Sequence, residues 1–408
     1  MENNKKEIKF PKGFLWGTST SAYQIEGGIT NDWSEWEKSE ARSKKLKKNG
    51  KNPADYICGN GCSSYNRYKE DLDLAVSLNT NSIRIGIEWA RIQPDKDVWD
   101  VEAINHYRDI LREAKKRNLK TAVTLWHWTN PTWVTDEGGW AKKCAIEYYL
   151  GYVDFVIENL GGEIDYWITL NEPLIHVFNG YIRGIFPPAK NNIFKAFKAF
   201  NNLAEAHKRA YEKIHNYFPD AMVGITALIN DFEPARPWLI PEKILANIFH
   251  YFWNHKFLKK IKNDMDYAGL DYYFHDRIVW YPPFRKNLNK KTTDLGWEIY
   301  PQGMYRAIKY LSGFNKPIII MENGLADSAD SRRAEFIKEH LSYVHKAIAE
   351  GADVRGYFHW SLLDNFEWAL GWSPKFGLFA VDRSTFARTK RASADVYAEI
   401  CKNNKVDI

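Results

Sequence analysis

The chain has 408 residues, which is enough for one large α/β barrel or for two or three ordinary domains. It is 45% hydrophobic and 26% charged, as expected of a globular protein with a sizeable core. The net charge of +6 is modest for this length, and the basic clusters give no indication of a nucleic-acid partner. No stretch approaches the roughly 18 apolar residues of a membrane span, so we expect no membrane partner.

The N-terminal segment and the cysteines bear on where the protein works. Met1–Glu7 lacks the apolar stretch of a secretory signal. The cysteines have no spacing, and no accompanying histidine cluster, that would suggest zinc. The four are Cys58, Cys62, Cys144 and Cys401. We therefore expect a cytoplasmic protein with free thiols, with a Cys58–Cys62 disulfide as the alternative.

Short apolar runs alternate along the chain with amphipathic stretches. The runs predict eight strands: Phe14–Ser19, Ser82–Ile87, Thr121–Leu125, Tyr166–Leu170, Met222–Leu228, Asp266–Tyr273, Pro317–Met321 and Val354–Trp360. Two intervening helices are clearest, at Val101–Lys116 and Phe336–Ile348. Eight strand–helix repeats without a Gly- or Ser-rich linker predict a (β/α)8 TIM barrel, with residues 1–408 as one domain.

Two glutamates stand where predicted strands end. Glu172 follows the run at 166–171 and precedes Pro173, and Glu322 follows the run at 317–321. In a parallel barrel the C-terminal ends of the strands form the active site. Since these are the fourth and seventh strands, we expect the two carboxyl groups to face each other across the barrel mouth.

Other strand ends carry polar and aromatic side chains. Just past or within the remaining strands stand Gln24, Arg84, His127, Trp128, Tyr273, Trp360, Glu367 and Trp368. Amides and carboxyl groups bind neighbouring hydroxyls, and indole rings cover apolar sugar faces. The chain contains 17 tryptophans, so such rings are plentiful. These residues predict a site for a polyhydroxylated ligand.

Two carboxyl groups facing a sugar fit glycosidic bond cleavage. One, kept protonated, protonates the leaving oxygen; the other attacks the anomeric carbon or activates water. A separation of about 5–5.5 Å would mean retention of configuration, and about 6.5–9.5 Å would mean inversion. The sequence contains no distance, so the residues leave both outcomes open.

Four motifs in order resemble those of glycoside hydrolase family 1. They span Phe10–Gly27, Thr169–Pro173, Met321–Gly324 and Trp360–Trp368, and the resemblance extends from about Phe10 to Tyr397. The amino-acid sequence of Arg84–Ile92 is more similar to that of archaeal-type members than to that of plant members. The resemblance implies a retaining β-glycosidase that needs neither metal nor organic cofactor.

The resemblance also implies residue roles. Glu172 would be the general acid/base and Glu322 the nucleophile, with Arg84 and Tyr273 contacting Glu322. The terminal sugar would be held by Gln24, His127, Trp128, Asn171, Trp360, Glu367, Trp368 and Phe376. We expect Arg84 to lower the pKa of Glu322, while the poorly paired Glu172 keeps a higher pKa.

Two of these residues bear on the substrate. Glu367 would repel the phosphate of a 6-phosphorylated sugar, and the presence of Glu172 argues against myrosinase activity. We expect an exo-acting β-glucosidase, with β-galactosidase and β-fucosidase side activity, on small β-glycosides or short β-oligosaccharides. The alternatives are a β-mannosidase, a mainly transglycosylating enzyme, or a sugar-binding protein without hydrolytic activity, which would be expected to have lost a glutamate.

The chain departs from the family pattern at two places. Asp271 stands where the family usually has Asn, which adds negative charge beside the site. The segment between Pro237 and Asp266 is shorter than is usual, which predicts a more open entrance.

Overall fold

The computed structural model describes residues 7–407. Of the N-terminal segment considered above, all but Glu7 lies outside this range. Eight strands form the central sheet: β1 (Leu15–Ser19), β2 (Ser82–Gly86), β3 (Lys120–Thr124), β4 (Tyr166–Asn171), β5 (Met222–Leu228), β6 (Ala268–Asp271), β7 (Ile318–Asn323) and β8 (Val354–Trp360). Each pairs in parallel with the next and β8 pairs with β1, so the sheet closes. The predicted TIM barrel is confirmed.

Fifteen α-helices lie in the described range: α1 (Ala22–Ile25), α2 (Asp32–Lys38), α3 (Glu40–Lys48), α4 (Ser64–Ser77), α5 (Trp89–Ile92), α6 (Val101–Lys116), α7 (Thr132–Asp136), α8 (Cys144–Leu160), α9 (Pro173–His176), α10 (Ile193–Tyr217), α11 (Ile240–His250), α12 (Lys256–Ile261), α13 (Pro301–Ser312), α14 (Arg333–Ala349) and α15 (Ala392–Asn403). Two π-helical segments, Val177–Ile182 and Tyr251–His255, continue α9 and α11. None of these helices combines the length and apolar character of a membrane span.

Single-turn 3-10 segments and short strand pairs complete the chain. The 3-10 segments are Pro53–Tyr56, Gly139–Ala141, Gly161–Glu163 and Trp368–Leu370. Outside the barrel, Glu7–Lys9 pairs with Lys405–Asp407, Asp231–Pro234 with His275–Ile278, and Phe379–Val381 with Arg388–Lys390.

Helix α6 has the bounds that the sequence predicts, because local signals mark both of its ends. The Asp100 side chain accepts a hydrogen bond from the Ala103 amide at 2.8 Å and caps the first turn. Lys115 and Lys116 in the last turn complement the helix dipole. One face is buried, and each large side chain on it, such as Tyr107, contributes about 1.5–3 kcal/mol.

Two predicted elements differ at their ends because of contacts from distant residues. Helix α14 begins three residues before the predicted Phe336, since the Asp327 carboxylate accepts from the Arg332 and Arg333 amides. Strand β6 is shorter than predicted, and at its N-terminal end the Asp266 side chain, in place of a backbone carbonyl, accepts the hydrogen bond of the Val223 amide. Tertiary hydrogen bonds, which a local pattern does not contain, set these bounds.

Apolar packing occurs both outside and inside the barrel. The main core lies between the strands and the surrounding helices. A second cluster draws on the strands themselves and includes Leu15, Ala122, Ile168, Ile319 and Phe358. In TIM barrels such layers fill the interior, so the barrel is a packed core. All four cysteines are free thiols, as predicted.

Candidate active site

A cavity of about 400 Å³ opens at the C-terminal ends of the barrel strands. Both glutamates line it, so the predicted placement across the barrel mouth is confirmed. It is lined by His127, Trp128, Glu172, Ile175, Asn179, Arg183, Ile185, Phe186, Leu228, Tyr273, Phe274, Arg285, Trp297, Glu322, Trp360, Glu367, Trp368, Ala369, Leu370 and Phe376. Nine of the twelve residues proposed from the sequence are among them.

The Glu322 carboxylate is held at both oxygens. Its Oε1 accepts a hydrogen bond from Arg84 Nη1 at 2.5 Å, and its Oε2 accepts from the Tyr273 hydroxyl at 2.9 Å. The group is buried on strand β7. Two donors, one of them charged, favour the ionised form and fix the orientation of the carboxylate.

Arg84 is a fully buried cation at the centre of this site. It is paired in the sheet with Ala122 of β3, and its Nε donates to Thr124 Oγ1 at 2.9 Å. Its Nη2 donates to Asn171 Oδ1 at 2.5 Å. The guanidinium therefore joins three strands and reaches Glu322 on a fourth.

Glu172 lies in a different environment, at the turn from β4 into α9. Its backbone is left-handed, with φ of 38°, and Pro173 begins the helix directly after it. Its amide donates to the Thr226 carbonyl at 3.0 Å. Among the described residues no cation pairs with its carboxyl group, which is buried. Glu172 is thus placed firmly by its backbone but lacks the donors that Glu322 has.

Asp271 brings a third carboxyl group to the site. It is fully buried, and it stands opposite Glu322 in the β6–β7 ladder. Neither of its oxygens has an N–H donor or a charged donor among the described residues, and only the Thr226 hydroxyl and the Glu172 carboxyl group act to lower its pKa by hydrogen bonding. The nearby Thr226 hydroxyl, which has a single proton, donates it to Asn171 Oδ1 at 2.6 Å. Asp271 is therefore poorly stabilised as an anion.

Glu172, Asp271 and Glu322 form a compact cluster. One oxygen from each lies within 4.8 Å of the others. Carboxylate oxygens are the ligands that hard cations prefer. However, the Arg84 guanidinium already supplies positive charge to Glu322, whose two oxygens are both engaged. We interpret the cluster as an acid–base group.

The three pKa values follow from these environments. Burial, together with the negative charges of Asp271 and Glu322, raises the pKa of Glu172 well above its ordinary value. Burial and Glu322 likewise raise the pKa of Asp271 well above its usual range. The pKa of Glu322 is also raised by burial, but Arg84 and Tyr273 oppose that rise.

The expected order, with the acid/base candidate higher, agrees with this electrostatic arrangement. Full burial raises the pKa of Glu322 by more than the guanidinium lowers it, so the net direction is upward. Arg84 does act in the predicted sense, since its charge lowers the pKa of Glu322.

Aromatic rings form one wall of the cavity. The His127 and Trp368 rings stack with centroids 5.6 Å apart, and Trp128 contacts Trp368 at 4.9 Å. The Trp360 ring lies 6.4 Å from the His127 ring, centroid to centroid, and packs together with Phe376 and Tyr273. Burial and the charge of Arg84 lower the pKa of His127 well below its ordinary value, so its imidazole is neutral.

Three buried polar atoms near this wall have no hydrogen-bond partner among the described residues. They are Gln24 Oε1, His127 Nδ1 and Glu367 Oε2. Burial, with a smaller effect of Glu322, raises the pKa of Glu367 to about 8. Native proteins satisfy most buried polar groups, so unpaired ones at a cavity indicate where a polar ligand binds.

Three proposed residues do not line the cavity. Arg84 and Asn171 lie fully buried behind it. Asn171 contacts Arg84, and its Nδ2 lies 3.0 Å from His127 Nε2. Gln24 donates to Asn365 Oδ1 and to the Phe366 carbonyl, beside the loop that carries Glu367. Asn171 thus contacts the residues that surround the cavity.

Sequence reasoning missed several residues of the site. Arg183, Arg285 and Trp297 line the cavity, and Thr226 holds both Asn171 and the Glu172 backbone. The first three lie in long loops, where no strand-end pattern marks them. Thr226 lies within a predicted strand, and its paired register with Asn171 is a tertiary fact.

A closed parallel barrel with facing carboxyl groups at its mouth is the arrangement of a glycoside hydrolase. The chain matches the model of glycosyl hydrolase family 1 over residues 6–268 and 253–406. It is 32% identical to beta-glucosidase A of Thermotoga maritima, over 98% of this chain and 99% of that protein. It is 30% identical to a beta-galactosidase of Sulfolobus acidocaldarius, over 98% and 96%.

A solved structure agrees with the sequence matches. A beta-glycosidase from Pyrococcus horikoshii superposes with a TM-score of 0.90 at 35% identity, covering 99% of this chain and 97% of that one. The chain therefore belongs to glycosyl hydrolase family 1.

Proposed function

We propose that this chain is a retaining exo-β-glycosidase that removes terminal, unphosphorylated β-D-glycosyl residues from small glycosides or short oligosaccharides. The observation that carries the proposal is the close approach of two unlike carboxyl groups, within 4.8 Å between their nearest oxygens. That separation fits the short class, about 5–5.5 Å, which leaves no room for a water between nucleophile and sugar.

In the first step Glu322 attacks the anomeric carbon while Glu172 gives its proton to the leaving oxygen. The glycosidic bond breaks, and a covalent glycosyl ester forms on Glu322. Arg84 and Tyr273 hold Glu322 ionised and aimed. Glu172 is kept protonated by burial and by its anionic neighbours.

In the second step Glu172 takes a proton from water, and the water oxygen displaces Glu322 from the sugar. Formation of the ester removes the negative charge of Glu322, which in the free enzyme raises the pKa of Glu172. The pKa of Glu172 therefore falls once the ester has formed. One carboxyl group can thus act as acid and then as base.

The sugar is held on the wall that carries the unpaired polar atoms. Glu367 Oε2 and His127 Nδ1 are available to neighbouring sugar hydroxyls, and Trp360 offers a ring face. We propose glucose as the preferred sugar, with galactose and fucose as weaker substrates. Relatives named as a glucosidase and a galactosidase support this set.

No observation favours the mannosidase or transglycosylase alternatives. A sugar-binding protein without activity is disfavoured, since both glutamates are present in unlike environments. We propose that the enzyme works in the cytoplasm, which fits four cysteines that are all free thiols.

We expect Glu322→Gln to lower kcat on aryl β-glucosides by about 10⁴-fold or more, because the amide is a poor nucleophile. The amide has nearly the same shape, so the melting temperature and circular dichroism should stay close to those of the parent. Turnover by the purified variant within tenfold of the parent would contradict the nucleophile role.

Glu172→Ala should separate substrates by leaving group. Proton donation matters most when the leaving oxygen is basic, so kcat/KM on an alkyl glucoside should fall about 10²–10⁴-fold. An activated dinitrophenyl glucoside should lose far less in its first step. Equal losses on both substrates would remove Glu172 from the acid role.

Asp271→Asn tests the third carboxyl group through the pH profile. The charge of Asp271 raises the pKa of Glu172, so its removal should lower that pKa and move the alkaline limb to lower pH. The ratio of kcat/KM at pH 8 to that at pH 6 should fall about tenfold. Asp231→Asn, which alters a buried aspartate paired with Arg306, is the matched control. An unmoved alkaline limb in Asp271→Asn would contradict the coupling.

A panel of nitrophenyl β-glycosides tests the sugar. We expect kcat/KM to be highest for glucose, lower for galactose and fucose, and at least about 100-fold lower for 6-phosphoglucose. The Glu367 carboxylate, once ionised, would oppose a phosphate in the cavity, and the Arg84 guanidinium is already engaged by Glu322. A mannoside hydrolysed faster than the glucoside would overturn the preference, and efficient use of the phosphorylated sugar would overturn the role of Glu367.

A further inference from the structure

Large apolar side chains are exposed mainly around one end of the barrel. Of nineteen such side chains in the described residues, thirteen lie in three segments, at 193–197, 238–252 and 280–288. They are Ile193, Phe194, Phe197, Trp238, Ile240, Ile244, Ile248, Tyr251, Phe252, Trp280, Tyr281, Phe284 and Leu288. We call these thirteen residues the apolar rim. Clustered exposed apolar side chains, unlike ones scattered singly, mark interaction surfaces.

The three segments of the rim are neighbours in space. The Lys256 ammonium lies 4.9 Å from the ring centroid of Phe252 and 5.9 Å from that of Phe197, which joins the first segment to the second. The second and third are joined because Asp231–Pro234 pairs with His275–Ile278. The rim is therefore one surface assembled from distant parts of the sequence.

This surface lies at the same end of the barrel as the active-site mouth. Helix α10 follows β4, α11 follows β5, and the 280–288 loop follows β6, and loops after barrel strands surround the active-site face. Arg285, inside the third segment, lines the catalytic cavity. A partner bound on the rim would adjoin the entrance for substrate.

Helix α11 has an apolar stripe that is turned outward. Ile240, Ile244, Ile248 and Phe252 recur at four-residue spacing and are 67%, 56%, 45% and 55% exposed. On a surface helix of a globular protein such a stripe normally faces the core. Here the opposite side, with Ala246, is the buried one.

These three segments are strongly cationic when the residues that flank them are included. Residues 190–200, 236–263 and 279–290 contain twelve Lys and Arg and only one acidic residue, a net +11. The whole chain carries +6, so the remaining residues together carry −5. The one acid, Glu242, is buried and paired with Arg236. Among the described residues none of the nine lysines between Lys195 and Lys290 in these segments has an ion-pair partner.

We propose that the apolar rim docks this protein on the surface of an anionic phospholipid bilayer, with the mouth of the catalytic cavity next to the lipid. Tryptophan, tyrosine and phenylalanine side chains suit the boundary between headgroups and acyl chains. Unpaired lysines around them are attracted to anionic headgroups. The rim would enter only the interface, without spanning the bilayer.

Charge argues for lipid over a second copy of this chain. A two-fold dimer through the rim would place one lysine-rich surface against an identical one. Like charges brought together across an interface oppose association. An anionic bilayer instead offers apolar burial and opposite charge together.

This inference departs from the sequence-based expectation of no membrane partner. That expectation rested on the lack of one long apolar run. The rim is instead divided among three segments that come together only in the fold, so no run of the kind sought would contain it.

Vesicle co-sedimentation of the full chain tests the proposal. The chain should sediment with vesicles of equal phosphatidylglycerol and phosphatidylcholine, at least tenfold more than with pure phosphatidylcholine. Binding should weaken in 0.5 M NaCl, as expected for screened charges. Equal sedimentation with both vesicle types, or none with either, would overturn it.

A triple variant, Ile244→Ser, Ile248→Ser and Phe252→Ser, removes part of the stripe. We expect a loss of vesicle binding of at least tenfold, with turnover of a soluble aryl glucoside in buffer unchanged. The matched control is Val98→Ser, Val101→Ser and Tyr217→Ser, which alters similarly exposed side chains outside the rim. Binding by the rim variant equal to that of the control would overturn the proposal.

Light scattering after size-exclusion chromatography tests the other candidate occupant of the rim, which is a second copy of this chain. A dimer that the rim variant abolishes, in a chain that does not bind vesicles, would assign the surface to a second copy and overturn lipid docking. Inactivity of the parent on every glycoside would refute the proposed function without touching vesicle binding, so the two proposals fail separately.

Discussion

The buried guanidinium of Arg84 is the interaction on which the site depends. It brings positive charge into a barrel interior that otherwise excludes it, and it is balanced there by Glu322. Its other nitrogens hold Thr124 and Asn171. A buried cation without its partner is costly, so the strands that carry these groups are held in one arrangement. Catalytic geometry and the packing of the barrel mouth therefore have the same cause.

Around that cation, three carboxyl groups differ according to the donors they receive. Glu322 has two donors, one of them a cation, whereas Glu172 and Asp271 have no cationic donor among the side chains described and contact each other. The same burial therefore produces one ion that is oriented and two groups that tend to keep protons. The negative charge that the sequence suggested beside the site is thus moderated by burial.

Negative and positive charge occupy different parts of the active-site end of the barrel. The catalytic cavity is lined by Glu172, Glu322 and Glu367, while the segments around it carry the excess of lysine. Acid chemistry needs the first arrangement, since clustered carboxyl groups keep one another protonated. The second has no part in that chemistry. Its combination with outward apolar side chains is what distinguishes this surface from the rest of the chain.

By itself the sequence determined the barrel, because the strands carry short apolar runs and helices such as α6 carry an apolar period and signals at their ends. It also determined which side chains end the strands. The tertiary structure decided what those side chains do to one another. Strand register and burial set three features of the site. These are the short distance between the Glu172 and Glu322 carboxyl oxygens, the position of Thr226 beside Asn171, and the net rise in the pKa of Glu322. The apolar rim also depends on the tertiary structure. Distances and desolvation arise between residues far apart in the chain, and a local pattern contains neither.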